Sequence, residues 1–211
     1  MKVLDNIDRL REYLVFKNDV YYYVQVIQRK KDNPDSCSLD AKRYSHFITS
    51  LKGFDRVCTD VVRLCNLYNA RAYISVVPRS LERFGKLCCE EYLNRIKNND
   101  YKNCFEIPDR VAMYEQTIKT KGVCPSRLWM LDVDDEESEK YLRGLFTAEG
   151  LLRFELRTLS GVHMFVDAFS REKVLSEFTS PTSRPDDYVH EDVRFTLRPE
   201  CLTLLYAVVP G

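Results

Sequence analysis

The sequence lacks any long apolar run. No stretch approaches the roughly 20 apolar residues that span a bilayer. The N-terminal MKVLDNIDRLREYL also carries charges where a signal peptide has an unbroken apolar segment. We therefore expect a cytoplasmic protein with no membrane partner. Hydrophobic residues make up 45% and charged residues 30% of the 211, which excludes collagen-like and disordered classes.

The sequence also has a formal net charge of zero at pH 7, because 32 basic side chains balance 32 acidic ones. A protein that coats nucleic acid without sequence preference is usually basic, so the composition argues against that class. Binding of a nucleotide or a strand end at a local basic patch stays open.

Several familiar site motifs are missing. None of the eight cysteines forms a C-x2-C pair, so a structural zinc site has little support. Cys58 and Cys65 fall on one face of a predicted helix, where they fit as small core residues, and we expect reduced, mostly buried thiols. The chain has no GxxxxGK[ST] and no G-x-S-x-G, so it lacks a P-loop and a nucleophile elbow.

Hydrophobic periodicity divides the chain into two parts. The first, residues 1–126, is predicted to be an N-terminal helical and α/β subdomain. Its predicted helices cover 3–15, 54–68, 81–96 and a short stretch near 109–118, and its predicted strands cover 20–27 and 71–77.

The second part, residues 127–211, alternates strand and helix patterns in the order β-α-β-β-α-β. It begins with RLWMLDVD and ends with VRFTL and LTLLYAVV. This is the order of the split βαβ or ferredoxin-like fold, which RNA-recognition modules (RRMs) and many polymerase palms share. We therefore expect an α+β protein whose second part is an RRM-like antiparallel palm sheet.

Two carboxylates are the most informative feature. Asp132 and Asp134 lie two apart in a predicted strand, so both point to one face. Mg²⁺ or Mn²⁺ is the usual partner that relieves repulsion between such carboxylates. In a split βαβ, the strand that begins near His163 lies antiparallel beside this one, and the histidine could then contact a triphosphate held by the metal. A solvated strand edge and an ordinary hydrogen-bonded histidine are the competing interpretations.

The segments LWMLDVDD and TLSGVHMFV resemble motifs I and II of the archaeo-eukaryotic primase (primase-polymerase) superfamily, and RAYISVVPRS resembles a strand and turn of its N-terminal subdomain. The resemblance covers roughly residues 70–209. It implies two-metal nucleotidyl transfer, with Asp132 and Asp134 as catalytic metal ligands. It also implies that the catalytic His163 contacts the phosphates of the incoming nucleotide. Ser160, which shapes the turn, and Arg79 would complete the nucleotide-binding residues.

The sequence departs from the family at motif III, where a third acidic metal ligand belongs on a later strand. The candidates are Asp192, which opens VRFTL, and Glu200, which precedes CLTLLYAV, with a slight preference for Asp192. Asp186 and Asp187 fall in a predicted loop and look less constrained. If neither candidate reaches the metal, the protein would bind its ligand without polymerising.

Three functions therefore stay open. The first is a primase-like nucleotidyltransferase that joins nucleoside triphosphates to a DNA or RNA strand, with a replication or repair protein as a partner that helps to grip the template. The second is a catalytically inactive nucleotide- or nucleic-acid-binding module on the same sheet. The third is a metal-dependent phosphodiesterase.

Overall fold

Two antiparallel sheets organise the protein in the computed structural model, which describes residues 2–35, 39–101, 128–180, 186–198 and 202–209. The first sheet has the strand order β1 (Lys2–Asp5), β11 (Leu202–Val209), β4 (Arg71–Ser75), β2 (Val20–Gln28) and β3 (Ala41–Ile48), and the short β5 (Arg79–Ser80) pairs with β2. The second has the order β7 (Leu152–Arg157), β8 (Val162–Asp167), β6 (Leu128–Val133), β10 (Val193–Arg198) and β9 (Asp187–His190). The predicted α+β class is confirmed.

Five helices accompany the sheets in the described ranges: α1 (Ile7–Tyr13), α2 (Leu51–Tyr68), α3 (Leu81–Lys97), α4 (Glu136–Ala148) and α5 (Arg171–Val174). A single 3₁₀ turn covers Lys30–Asp32. None of these helices has the length and apolar character needed to cross a membrane. The short helix predicted near residues 109–118 lies outside the described residues.

Helix α2 illustrates how local sequence sets an element. Ser50 caps it by accepting a hydrogen bond from the Gly53 backbone N–H, and Asn69 ends it in the left-handed conformation at φ 46°. Its apolar face, which includes Cys58 and Cys65, packs against the first sheet. Burial raises the pKa of each of these two thiols to about 12, so they behave as the small core residues expected from the sequence.

The N-terminal prediction needs a correction. One helix was expected over residues 3–15, whereas β1 comes first and α1 begins only at Ile7. The break occurs at Asn6, which is buried and is bound to both sheets. Its backbone N–H donates to Leu205 O at 3.0 Å, and its Nδ2 donates to Leu204 O and to Arg157 O, each at 2.9 Å. These contacts hold residues 2–5 as an edge strand beside β11.

The last strand is the second correction. Residues 127–209 were expected to form one sheet, but β11 pairs with β1 and β4 in the first sheet. It is buried along nearly its whole length, so it needs cover on both faces. Helix α2 contacts it, and the second sheet approaches it through β7. The expected division between residues 126 and 127 therefore does not follow the sheets.

Candidate functional site

A cleft of about 480 Å³ lies between the two sheets, at the end of β6. The alternation of β6 determines what faces it. Leu131 packs in the core beneath α4, whereas Met130 joins the core shared with the first sheet. Asp132 lies on the same face as Met130, and Asp134 follows just after the strand. Both carboxylates line the cleft, as their spacing predicts.

His163 lies directly opposite Asp132, because β8 pairs antiparallel with β6 in the predicted manner. Its Nε2 is 3.2 Å from Asp132 Oδ1, and the Arg198 Nε is 3.8 Å from Asp132 Oδ2. Burial by itself would raise the pKa of Asp132, but His163 and Arg198 outweigh it and hold that pKa below its ordinary value. The carboxylate is therefore ionised at neutral pH.

The other ring nitrogen of His163 contacts the first sheet. Its Nδ1 is 2.7 Å from the hydroxyl of Thr203, a fully buried residue of β11. The histidine is buried between these two partners, one from each sheet. Sequence reasoning missed Thr203, because it assigned β11 to the second sheet.

The turn before β8 brings Ser160 to the second carboxylate, and its hydroxyl donates to Asp134 Oδ1 at 2.8 Å. Thr158 shapes the turn, because its side-chain oxygen accepts from the Gly161 backbone N–H at 2.8 Å. Gly161 allows the close approach to β6. A Cβ at this position would lie 2.0 Å from the carbonyl oxygen of Val133, so no other residue fits without displacing the turn.

The opposite wall of the cleft is cationic and comes from the first sheet and the turn after β2. Arg71 is buried in a bidentate pair with Asp32, with both N–O distances at 2.6 Å. Arg29 Nε is 3.4 Å from Asp40, and Lys31 is exposed. None of these residues was predicted, since they are dispersed along the first half of the sequence and form no motif.

The remaining predicted site residues lie elsewhere. Arg79 pairs with Tyr21 across β5 and β2, is buried, and does not line the cleft. Asp192 lies in the turn before β10, whereas Thr196 is the residue opposite Asp132. Asp192 lies four positions, at about 3.3 Å each, before Thr196, and it does not line the cleft either. The structure thus places Arg79 and Asp192 away from the cleft, and Glu200 lies outside the described residues.

The carboxylates of the cleft can supply only part of the ligands of a divalent metal ion. Within the described ranges, no three His, Cys, Asp or Glu side chains are grouped to hold a metal unaided. Mg²⁺, however, is commonly bound by one or two carboxylates together with substrate phosphates and water. Asp132 and Asp134 fit that mode, because they are adjacent oxygen donors on one cleft wall and Asp132 stays ionised.

Comparisons of the chain with known protein families, curated proteins and solved structures give no match. The chemistry of the site is therefore inferred from its own side chains. The resemblance to the primase superfamily, carried by the segments that contain Asp132, Asp134, Ser160 and His163, stays a prediction.

Proposed function

We propose that the cleft binds a nucleoside triphosphate together with Mg²⁺ or Mn²⁺, and that the protein is a primase-like nucleotidyltransferase. One observation carries the proposal. The D-x-D residues and the S-G-x-H residues come from separate segments, yet they are joined pairwise in one cleft, His163 to Asp132 and Ser160 to Asp134. The strand order places β8 beside β6, and the register then brings each polar side chain of the S-G-x-H segment to one carboxylate of the D-x-D segment.

The strand order supports an RRM-like palm as the finer fold. With β6 counted as the first strand, the order β7-β8-β6-β10 follows the 2-3-1-4 arrangement of a split βαβ, and α4 connects the first two strands. Two features differ from the simplest version. The second helix is reduced to Arg171–Val174, and β9 adds a fifth strand at the edge.

The side chains have separable roles in this proposal. Asp132 and Asp134 would hold the metal ion, which when bound would offset the negative charge of the phosphates and polarise their oxygens. With the metal ion on Asp132, the Nε2–H of His163 would leave that carboxylate and donate to a phosphate oxygen. Ser160 keeps the Asp134 carboxylate oriented, and the exposed Lys31 adds positive charge on the opposite wall. The cleft volume falls within the range of roughly 300–1,000 Å³ that is usual for small-molecule sites.

A binding module without transfer is the second candidate, and Arg198 favours it. The β10 residues nearest to Asp132 on the cleft face are Thr196 and Arg198, and neither can supply a third acidic ligand. The other carboxylate that lines the described cleft, Asp40, already faces Arg29 and accepts from the backbone N–H of Lys30. A site for two metal ions would need a further acid.

One assay separates these functions. The protein is incubated with Mg²⁺ or Mn²⁺, labelled ribo- or deoxynucleoside triphosphates, and primed DNA or RNA templates. We expect extension of the primer that is lost in the Asp132→Asn/Asp134→Asn double variant. Nucleotide binding without extension would favour the binding module, and strand cleavage would favour the phosphodiesterase. No binding of any nucleoside triphosphate would overturn the proposal.

A further inference from the structure

A buried hydroxyl from the first sheet contacts the histidine of the second. Thr203 lies in β11, opposite Ile74 of β4, and has no exposed surface. Its Oγ1 is 2.7 Å from Nδ1 of His163, while the Nε2 of the same ring is 3.2 Å from Asp132 Oδ1. The imidazole is therefore held at both nitrogens by partners in different sheets.

The chemistry of these partners constrains the ring. An ionised carboxylate only accepts hydrogen bonds, so Nε2 must carry a proton to bond with Asp132. In the neutral ring, Nδ1 is then the acceptor, and a hydroxyl is a group that can donate to it. A threonine hydroxyl can rotate to donate to Nδ1. A carbonyl oxygen at the same place could only accept a hydrogen bond, so it would require the proton to be on Nδ1.

We propose that Thr203 is a positioning residue, whose hydroxyl holds Nδ1 of His163 so that the Nε2–H edge faces Asp132 and the cleft. The contribution of Thr203 to ligand binding rests on the proposed function, but its effect on the orientation of the His163 imidazole does not. It also makes the site depend on both sheets, because the residue that orients His163 belongs to the strand that leaves the second sheet.

Three variants of the full chain isolate the hydroxyl. Thr203→Val keeps the shape and removes the donor, and Thr203→Ser keeps the donor and removes a methyl group. Thr196→Val is the matched control, because Thr196 is opposite Asp132 but its hydroxyl donates to Asp187 at 2.8 Å. The chain contains three histidines, so ¹⁵N-histidine labelling gives few ring signals, and a His163→Gln variant identifies those of His163.

The ring nitrogens are compared by NMR at one fixed pH near 8. In the native protein, His163 should be a single tautomer with its proton on Nε2. Asp132 still requires the proton on Nε2, so Thr203→Val should keep this tautomer but move the Nδ1 signal, because Nδ1 loses its hydrogen bond. Thr203→Ser should restore the native Nδ1 signal, and Thr196→Val should leave it unchanged. A native Nδ1 signal in Thr203→Val would overturn the proposal, because the ring would then be held without the Thr203 hydroxyl.

Affinity for Mn²⁺–ATP, measured on the same samples, tests the contribution to binding. We expect Thr203→Val to weaken it about tenfold, the usual effect of leaving one buried partner unpaired, and Thr203→Ser to restore it. Native affinity in Thr203→Val despite a moved Nδ1 signal would overturn the role in binding. If native protein binds no nucleotide but Thr203→Val still moves the Nδ1 signal, the proposed function fails and the positioning of His163 by Thr203 stands.

Discussion

His163 lies opposite Asp132 in the neighbouring antiparallel strand, with its Nε2 3.2 Å from Asp132 Oδ1. The contact joins two segments that are far apart in the chain, and it contributes to the lowered pKa of Asp132. A fixed imidazole beside an ionised carboxylate gives a surface that can accept a metal ion on one side and a phosphate on the other.

The carboxylates can be tested by neutral replacement. Asp132→Asn and Asp134→Asn should each weaken Mn²⁺–ATP binding by at least about tenfold, because each removes a charged oxygen ligand. Mn²⁺ alone should bind weakly, since two carboxylates leave most of its coordination sphere to water and phosphate. Titration calorimetry measures both. Asp167→Asn is the control, because Asp167 lies at the far end of β8 and pairs with Arg153. Unchanged binding in the double variant would place the site elsewhere.

His163→Ala should affect both stability and binding. The side chain is buried and bonded at both nitrogens, so its loss should lower the free energy of unfolding by about 1–3 kcal/mol. Loss of the phosphate contact should also raise the dissociation constant for Mn²⁺–ATP about 10- to 100-fold. Chemical denaturation and calorimetry on one sample separate the effects. Normal affinity in the destabilised protein would leave His163 a purely structural role.

Gly161→Ala should disrupt the site without removing any polar group. The new Cβ cannot fit 2.0 Å from Val133 O, so the turn must move and Ser160 must separate from Asp134. We expect a loss of about 1–3 kcal/mol in stability and markedly weaker nucleotide binding. Gly144→Ala is the matched control, because its Cβ would meet nothing within 4 Å in helix α4. That control should gain roughly 0.5–1 kcal/mol. A fully stable Gly161→Ala protein with native affinity would contradict the proposed packing of the turn.

The buried pair beneath the cationic wall should be sensitive to single replacements. Asp32→Asn leaves the Arg71 guanidinium buried without its counter-charge, and removing one partner of such a pair costs about 3–5 kcal/mol. The double variant Asp32→Leu/Arg71→Met should recover most of that loss, because no isolated charge remains. Urea denaturation of the three proteins checks this. A double variant as unstable as Asp32→Asn would show that packing, rather than charge, dominates here.

Thiol reactivity tests the predicted state of the cysteines. Cys89 is exposed on α3, whereas Cys58 and Cys65 are buried in α2 and have pKa values raised to about 12. Because these folded-state pKa values are raised, the reactive thiolates should stay scarce between pH 7 and roughly pH 10, well above the ordinary cysteine pKa of about 8.5. Iodoacetamide labelling followed by peptide mass mapping should modify Cys89 quickly, and Cys58 and Cys65 only after unfolding. Rapid labelling of Cys65 in folded protein would contradict its burial.

Much of the fold and half of the site followed from local pattern. The spacing of apolar residues predicted α2, β6 and β8, because periods of 3.6 and 2 are set by the backbone alone. The same period of 2 put Asp132 and Asp134 on one face. The neighbouring position of His163 followed from the order of elements, since a split βαβ brings its first and third strands together.

Tertiary structure decided the rest. An apolar strand such as β11 has no alternation to reveal which sheet will cover it, and its partners β1 and β4 are distant in the sequence. Because β11 lies in the first sheet, its residue Thr203 contacts His163. A polar face of the same sheet, which includes Arg71, lies opposite the carboxylates. Strand register likewise places Arg79 and Asp192 away from the cleft. Sequence periodicity determines which face a side chain takes, but only the pairing of distant strands determines which side chains meet across a cleft.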